Sequence, residues 1–169
     1  MEYKLVKPIG LFTSSRILLI IAHPDDEVMF FSPLLISKRD SAGDVYILCL
    51  STGNYKGLGD TRCKELYKSC AIFGIPRVNI KIINHEFLQD SMDEIWPPDY
   101  IVDIVKHYVI EFRPDKVYLN KTSQSFMFFC FFLNLLSQII TFDNYGVSGH
   151  PNHIAGKFFP NAYYLKIIQ

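Results

Sequence analysis

The chain has 169 residues, 49% of them hydrophobic, which is enough to bury one sizeable core and too few for two ordinary domains. Lys plus Arg equals Asp plus Glu at 17 each and no basic stripe is visible, so the electrostatic footprint of a nucleic-acid binder is missing. The four cysteines form no CxxC pair, as suits a reducing compartment, and Glu2, Lys4, Lys7 and Pro8 interrupt Met1 to Ser15 before a signal-peptide core or membrane anchor could form.

Arg16 to Ala22 (RILLIIA) is a short apolar, β-branched run that ends at a polar cluster, the pattern of a strand buried on both faces. Asp25 to Lys38 then reads as a helix with an acidic first turn, which Pro33 should kink or shorten. Asp44 to Ser51 is a second buried strand. A loop with Gly53, Gly57 and Gly59 follows, and then an amphipathic helix from about Thr61 to Phe73 that Gly74 stops. Val78 to Ile83 predicts a third strand, Tyr100 to Phe112 a third helix, and Lys116 to Leu119 a fourth strand. Strands alternating with helices of this length predict an α/β fold with a Rossmann-like, mostly parallel sheet flanked by helices.

From Ser125 to Gln138 the sequence turns Phe-rich without a helical or alternating period, and its apolar stretch, Phe126 to Leu133, falls well short of the roughly 20 residues a membrane-spanning helix needs. Asn120-Lys121-Thr122 matches the glycosylation acceptor pattern, which is frequent by chance and silent outside the secretory lumen.

Ala22-His23-Pro24-Asp25-Asp26-Glu27 places an imidazole and adjacent carboxylates where a buried strand ends and a helix begins, the edge at which open α/β sheets bind ligands. Adjacent aspartates in a dry crevice ask for a cation; on the surface the same triplet reads as an acidic helix cap. Ser148-Gly149-His150-Pro151-Asn152-His153 carries two histidines three residues apart, a spacing that taken alone is as easily a solvated loop. Together, a histidine and an aspartate of the first cluster with a histidine of the second form a mixed nitrogen and oxygen set. Such a set leaves coordination positions open, as in a catalytic rather than a structural zinc site. The remaining carboxylate and histidine then have roles as base and oxyanion stabiliser.

AHPDDE after an apolar strand, STGN followed by GxxRxxEL, and FDNYGVSGHPNH together resemble the N-acetylglucosaminyl-phosphatidylinositol de-N-acetylases, the eukaryotic branch of the LmbE-like deacetylases. The resemblance runs from about Arg16 to Asp115 and again from about Thr141 to Ala155. It implies that His23, Asp26 and His153 bind zinc or another divalent metal, that Asp25 is the general base, and that a protonated His150 stabilises the oxyanion. It also makes Arg62 a substrate-contacting arginine, against the alternative of a solvated helix charge. Asp90 becomes a sugar-hydroxyl contact, against that of a surface loop. His85 and His107 match no motif and read as structural.

The implied reaction is zinc-dependent hydrolysis of the acetamide of N-acetylglucosaminyl-phosphatidylinositol, giving glucosaminyl-phosphatidylinositol and acetate, an early step of glycosylphosphatidylinositol-anchor biosynthesis. The implied place is the cytosolic face of the endoplasmic reticulum. With no anchor in this sequence, peripheral membrane contact or a cytoplasmic location is expected instead. A soluble N-acetylglucosamine conjugate is an alternative substrate.

Residues 1–169 read as one LmbE-like domain with an atypical Phe-rich insert at about 117–138 and a divergent tail at 156–169, the C-terminal part of the family fold being missing. The insert has the composition of a translated pyrimidine-rich noncoding stretch, which points to a truncated or splice-variant form or an error in the gene model. Lys116 to Leu119 and Ile139 to Phe142 compete for one strand position. The second is expected to take it, because Thr141-Phe142-Asp143 leads straight into the histidine loop. The other outcome would displace His153 and leave a catalytically inactive variant with at most a binding or regulatory role.

Overall fold

A computed structural model describes residues 16–112 and 138–156. Its centre is strand β1 (Ile17–Ile21), whose five residues are all fully buried. Strands β2 (Val45–Cys49) and β3 (Ile80–Ile82) follow on one side of it, and β4 (Gln138–Ile140) lies on the other, giving the order β3-β2-β1-β4. All three pairings are parallel: Leu19 of β1 faces Ile47 on one side and Ile140 on the other, and Ile47 faces Ile80. A parallel sheet must be covered on both faces, which is why β1 is apolar at every position and does not alternate.

The cover comes from α1 (Asp26–Met29), α2 (Ser32–Ser37), α3 (Gly59–Ile72) and α4 (Pro98–Glu111). Ile101, Val105 and Val109 of α4, with Phe112 just past its end, recur at helical spacing and are all buried, so one stripe of the helix joins the core. Leu34, Leu35, Leu66 and Cys70 add the contributions of α2 and α3. Burial pushes the Cys70 thiol up to about 12 and that of Cys49 well above its ordinary value, so both pack as small hydrophobes.

Three local departures from the sequence reading have physical causes. The helix expected over 25–38 breaks at Phe30-Phe31, and Pro33 sits in the first turn of α2, where its missing N–H costs nothing. Helix α3 starts two residues before Thr61, at Gly59, whose N–H is held by the Asn54 side chain, and it closes through Gly74 at φ 81°. The strand expected from Val78 instead opens with a 3-10 turn over Arg77–Asn79, because the buried Asn79 donates its side-chain amide to the Val45 carbonyl.

The strand position beside β1 is taken by Gln138–Ile140, and Thr141-Phe142-Asp143 leads from it into the histidine loop. The alternative strand at Lys116 to Leu119, the rest of the insert at 117–137, the acceptor tripeptide at Asn120, Cys130 and the tail beyond Gly156 lie outside the described residues. The chain order leaves β1 to one side for β2 and β3 and to the other for β4. The topological switch, where such sheets bind ligands, therefore falls between the ends of β1 and β4.

Candidate metal centre

The loop leaving β1 is folded by its own carboxylates. Asp26 Oδ2 accepts the backbone N–H groups of Ala22 at 3.0 Å and His23 at 2.8 Å, which turns the chain back and leaves Oδ1 free. That free oxygen lies 3.3 Å from His153 Nε2. Asp25, at the N-cap of α1, makes no capping bond and adopts φ 108° in the left-handed region, so the acidic triplet is not a helix cap.

His153 arrives from the other side of the switch. It lies on the short helix α5 (Pro151–Gly156), buried, with its ring stacked on Phe142 at 4.2 Å between centroids. Its Nδ1 lies 3.1 Å from the Gly146 carbonyl, an obligate acceptor, so Nδ1 carries the proton and Nε2 is bare. His23 is oriented in the same way from its far side. Its Nε2 faces Asn152 Oδ1 at 3.1 Å and Asp90 Oδ1 at 3.2 Å, so the proton resides there and Nδ1 is bare.

The two bare nitrogens face each other at 3.3 Å beside the free carboxylate oxygen, and none of the three side chains exceeds 6% exposure. In that tautomer pair two lone pairs and a carboxylate oxygen crowd together, and a cation between them reverses the sign of every term. The donor set His23, Asp26 and His153 therefore fits a divalent metal, and two imidazole nitrogens with one carboxylate suit zinc and leave positions open. A second grouping, His23, Asp90 and His150, would need His23 Nε2, which is protonated; it is the outer layer of the same centre.

The remaining predicted residues surround this core. Arg62 donates to the Pro24 carbonyl at 2.9 Å, the Gly53 carbonyl at 2.7 Å, Asp25 Oδ2 at 3.0 Å and Asp90 Oδ2 at 3.1 Å. It is thus no solvated helix charge, and Asp90 is no surface-loop carboxylate, since the side chain is 10% exposed. Burial raises the Asp25 carboxyl above its ordinary range against the opposing pull of Arg62. The His150 ring lies 4.9 Å from that of His23, with Nε2 3.9 Å from Asp90. Burial first, and then the neighbouring His23 and His153, hold His150 below the usual imidazole range, working against the imidazolium form that Asp90 and Asp26 favour. His85 packs tilted against the Tyr100 ring and His107 lies 3.5 Å from Glu111, both apart from the cluster.

Outward from Arg62, Asp90 and His150 runs a cleft of about 400 Å³ whose walls include Tyr55, Lys56, Leu58 and Met92. The sequence reading missed Asn152, Gly146 and Phe142, which orient the two histidines. Their only signal was position: one between the paired histidines, one in the glycine-rich run before them, one at the strand end. Gly146 adopts φ 62°, and a Cβ there would lie 2.8 Å from the His153 Cβ and 2.9 Å from the Ile154 nitrogen. Gly146→Ala should therefore lower stability by about 1–3 kcal/mol through crowding and backbone strain. It should weaken metal binding as well, because His153 is what it pushes; denaturant midpoints with and without added zinc check both.

A family model described as PIG-L, GlcNAc-PI de-N-acetylase, matches residues 18–163, past the Ala155 at which the sequence resemblance ended. The N-acetylglucosaminyl-phosphatidylinositol de-N-acetylase of Bos taurus is 37% identical over 141 residues, 83% of this chain and 47% of that protein. The probable enzyme of the same name from Schizosaccharomyces pombe is 40% identical over 82% of this chain and 48% of its own length. The Saccharomyces cerevisiae enzyme is 39% identical over 80% and 39%. The chain thus spans about half or less of the length of these relatives. Among solved structures, N,N'-diacetylchitobiose deacetylase from Pyrococcus horikoshii, complexed with an inhibitor, superposes with a TM-score of 0.60 at 17% identity, over 92% of this chain and 51% of that one. That likeness bears on the fold alone.

Proposed function

The chain belongs to the PIG-L family of GlcNAc-PI de-N-acetylases, and from that membership we propose that it hydrolyses the acetamide of N-acetylglucosaminyl-phosphatidylinositol, releasing acetate and leaving a free amine on the sugar. The observation that carries the reading is the convergence of His23 Nδ1, His153 Nε2 and Asp26 Oδ1, each turned inward by a hydrogen bond on its far side. Zinc held there would supply Lewis-acid polarisation of the acetamide carbonyl and would make water acidic enough to attack near neutrality.

The protein's own groups supply the rest. Asp25, with burial raising its carboxyl, accepts the proton of the attacking water and returns it to the nitrogen as the C–N bond breaks. His150 stands beside the ligand cluster and donates to the carbonyl oxygen as charge accumulates on it. Asp90 accepts a sugar hydroxyl on the cleft wall. Arg62, with bonds to both carboxylates and two carbonyls, acts on substrate chiefly by holding that wall.

Along the cleft, Tyr55, Leu58 and Met92 are 64%, 53% and 57% exposed beside the cationic Lys56, which fits a lipid's anionic phosphodiester and peripheral contact with a membrane. No helix among the described residues is long and apolar enough to cross a membrane. The place consistent with such a substrate is the cytosolic face of the endoplasmic reticulum.

Acetate release from N-acetylglucosaminyl-phosphatidylinositol in mixed micelles and from a soluble N-acetylglucosaminyl-inositol, each with zinc and with chelator, tests the reading. Chelator-sensitive release from the lipid is expected. Release from the soluble conjugate alone would move the substrate assignment, and none from either by zinc-loaded protein would overturn the activity.

A further inference from the structure

Glu27 has no part in the chemistry above, yet it is 1% exposed, a buried carboxylate one position beyond a metal ligand. Burying such a group is costly unless its oxygens are bonded, and the two bonds it makes point to a purpose. Oε2 accepts the backbone N–H of Asp25 at 2.9 Å, and Oε1 lies 2.5 Å from the hydroxyl of Ser69 on α3. Asp25 is the residue whose backbone sits at φ 108°, a conformation L side chains rarely adopt. From that conformation its Oδ2 meets the Arg62 guanidinium at 3.0 Å.

We propose that Glu27 and Ser69 form a positioning pair that holds the backbone of Asp25 in its left-handed conformation and so aims its carboxylate at the reacting water. Helix α3 then grips Asp25 at both ends. Arg62 takes the Asp25 carboxylate and the Pro24 carbonyl, and Ser69, seven residues on and therefore two turns along the same helix face, takes the Asp25 amide through Glu27. Whichever oxygen of the short Glu27–Ser69 bond carries the proton, Oε2 still receives the Asp25 N–H. The Ser69 hydroxyl also lies 3.0 Å from the Leu66 carbonyl of its own helix, a bond that remains open to it and does not replace the shorter one.

The inference rests on Asp25 as the base, but its first test needs no turnover. Amide hydrogen exchange of the full chain is followed by NMR in wild type, Ser69→Ala, Ser69→Thr and Glu27→Gln. The Leu50 amide, bonded to the Ile21 carbonyl at 2.9 Å, serves as a control for the sheet. Loss of the hydroxyl in Ser69→Ala should speed exchange at Asp25 by about tenfold, with Leu50 unchanged, and Ser69→Thr should restore protection. Glu27→Gln, which keeps one oxygen to accept the Asp25 N–H, should speed it less than Ser69→Ala does. Where acetate release is measurable, Ser69→Ala should lower kcat about tenfold with KM and zinc content unchanged, and Ser69→Thr should recover it. An Asp25 amide that does not respond, or one that changes together with Leu50, overturns the proposal, as does an unchanged kcat. Exchange behaving as expected in a chain without turnover upholds the pair and overturns the deacetylase reading instead.

Discussion

Asp26→Asn is expected to leave a folded protein that retains no stoichiometric zinc through dialysis, while Asp25→Asn retains it at the wild-type level and releases acetate about 100-fold or more slowly. The neighbouring carboxylates differ in what their oxygens already do. Asp26 spends Oδ2 on the Ala22 and His23 N–H groups and presents Oδ1 to His153 Nε2, so it would be the anion of the proposed ligand set. An amide in its place can keep one oxygen on those N–H groups, which preserves the loop, but it removes the negative charge from a set otherwise made of neutral nitrogens. Alanine would free both N–H groups as well and confuse metal loss with unfolding. Asp25 is placed differently, at the open rim of the centre: its Oδ2 is on Arg62, and its side chain is 54% exposed. Zinc content by elemental analysis beside acetate release separates the roles, and metal loss in Asp25→Asn with retention in Asp26→Asn would exchange the two assignments.

How much of this centre the sequence displayed depends on how far apart the interacting residues lie. The strand before it was plain from Arg16 to Ala22, because burial on both faces demands an unbroken apolar run, and Pro33 announced the break after α1 for a purely local reason. The ligand residue types stood in two motifs whose combination carried the resemblance. What the sequence could not display was orientation. Neither motif displays that Asp26 is buried against the histidines while Asp25 stands at the rim on a backbone at positive φ, its N–H bonded to Glu27, which is bonded in turn to Ser69 42 positions away. Arg62 read as either a substrate contact or a solvated charge, and its four bonds join two loops and two carboxylates, which a helix periodicity does not reveal. The choice of β4 beside β1 was legible only through its continuity with the histidine loop, since the competing apolar run had equal strand character.

The second large effect is expected at a residue that touches no metal. Asn152→Ala should weaken zinc binding by about 10–100-fold, the usual consequence of removing a group that orients a metal-ligating histidine. Asn152 is fully buried, 129 positions from His23 in sequence, and its Oδ1 receives both the His23 Nε2 proton at 3.1 Å and the Ser91 N–H at 3.1 Å. Those two donors fix which end of the amide is oxygen, and the oxygen in turn fixes which nitrogen of His23 is bare. Without it, the Nε2 proton keeps Asp90 as its remaining acceptor at 3.2 Å, and that carboxylate is also committed to Arg62. The ring is then free to turn its protonated edge toward His153, which ends ligation. Asn152 Nδ2 has no hydrogen-bond partner among the described residues, so the side chain is kept for what its oxygen does. Asn152→Asp distinguishes orientation from bulk. It retains the acceptor and the shape but sets a second carboxylate beside Asp90, so zinc binding should recover well above the alanine variant while the Asp90 side of the centre is perturbed by like charge. Competition titrations against a zinc-binding dye give the three affinities, and an alanine variant that binds as tightly as wild type would show that Asp90 alone orients His23.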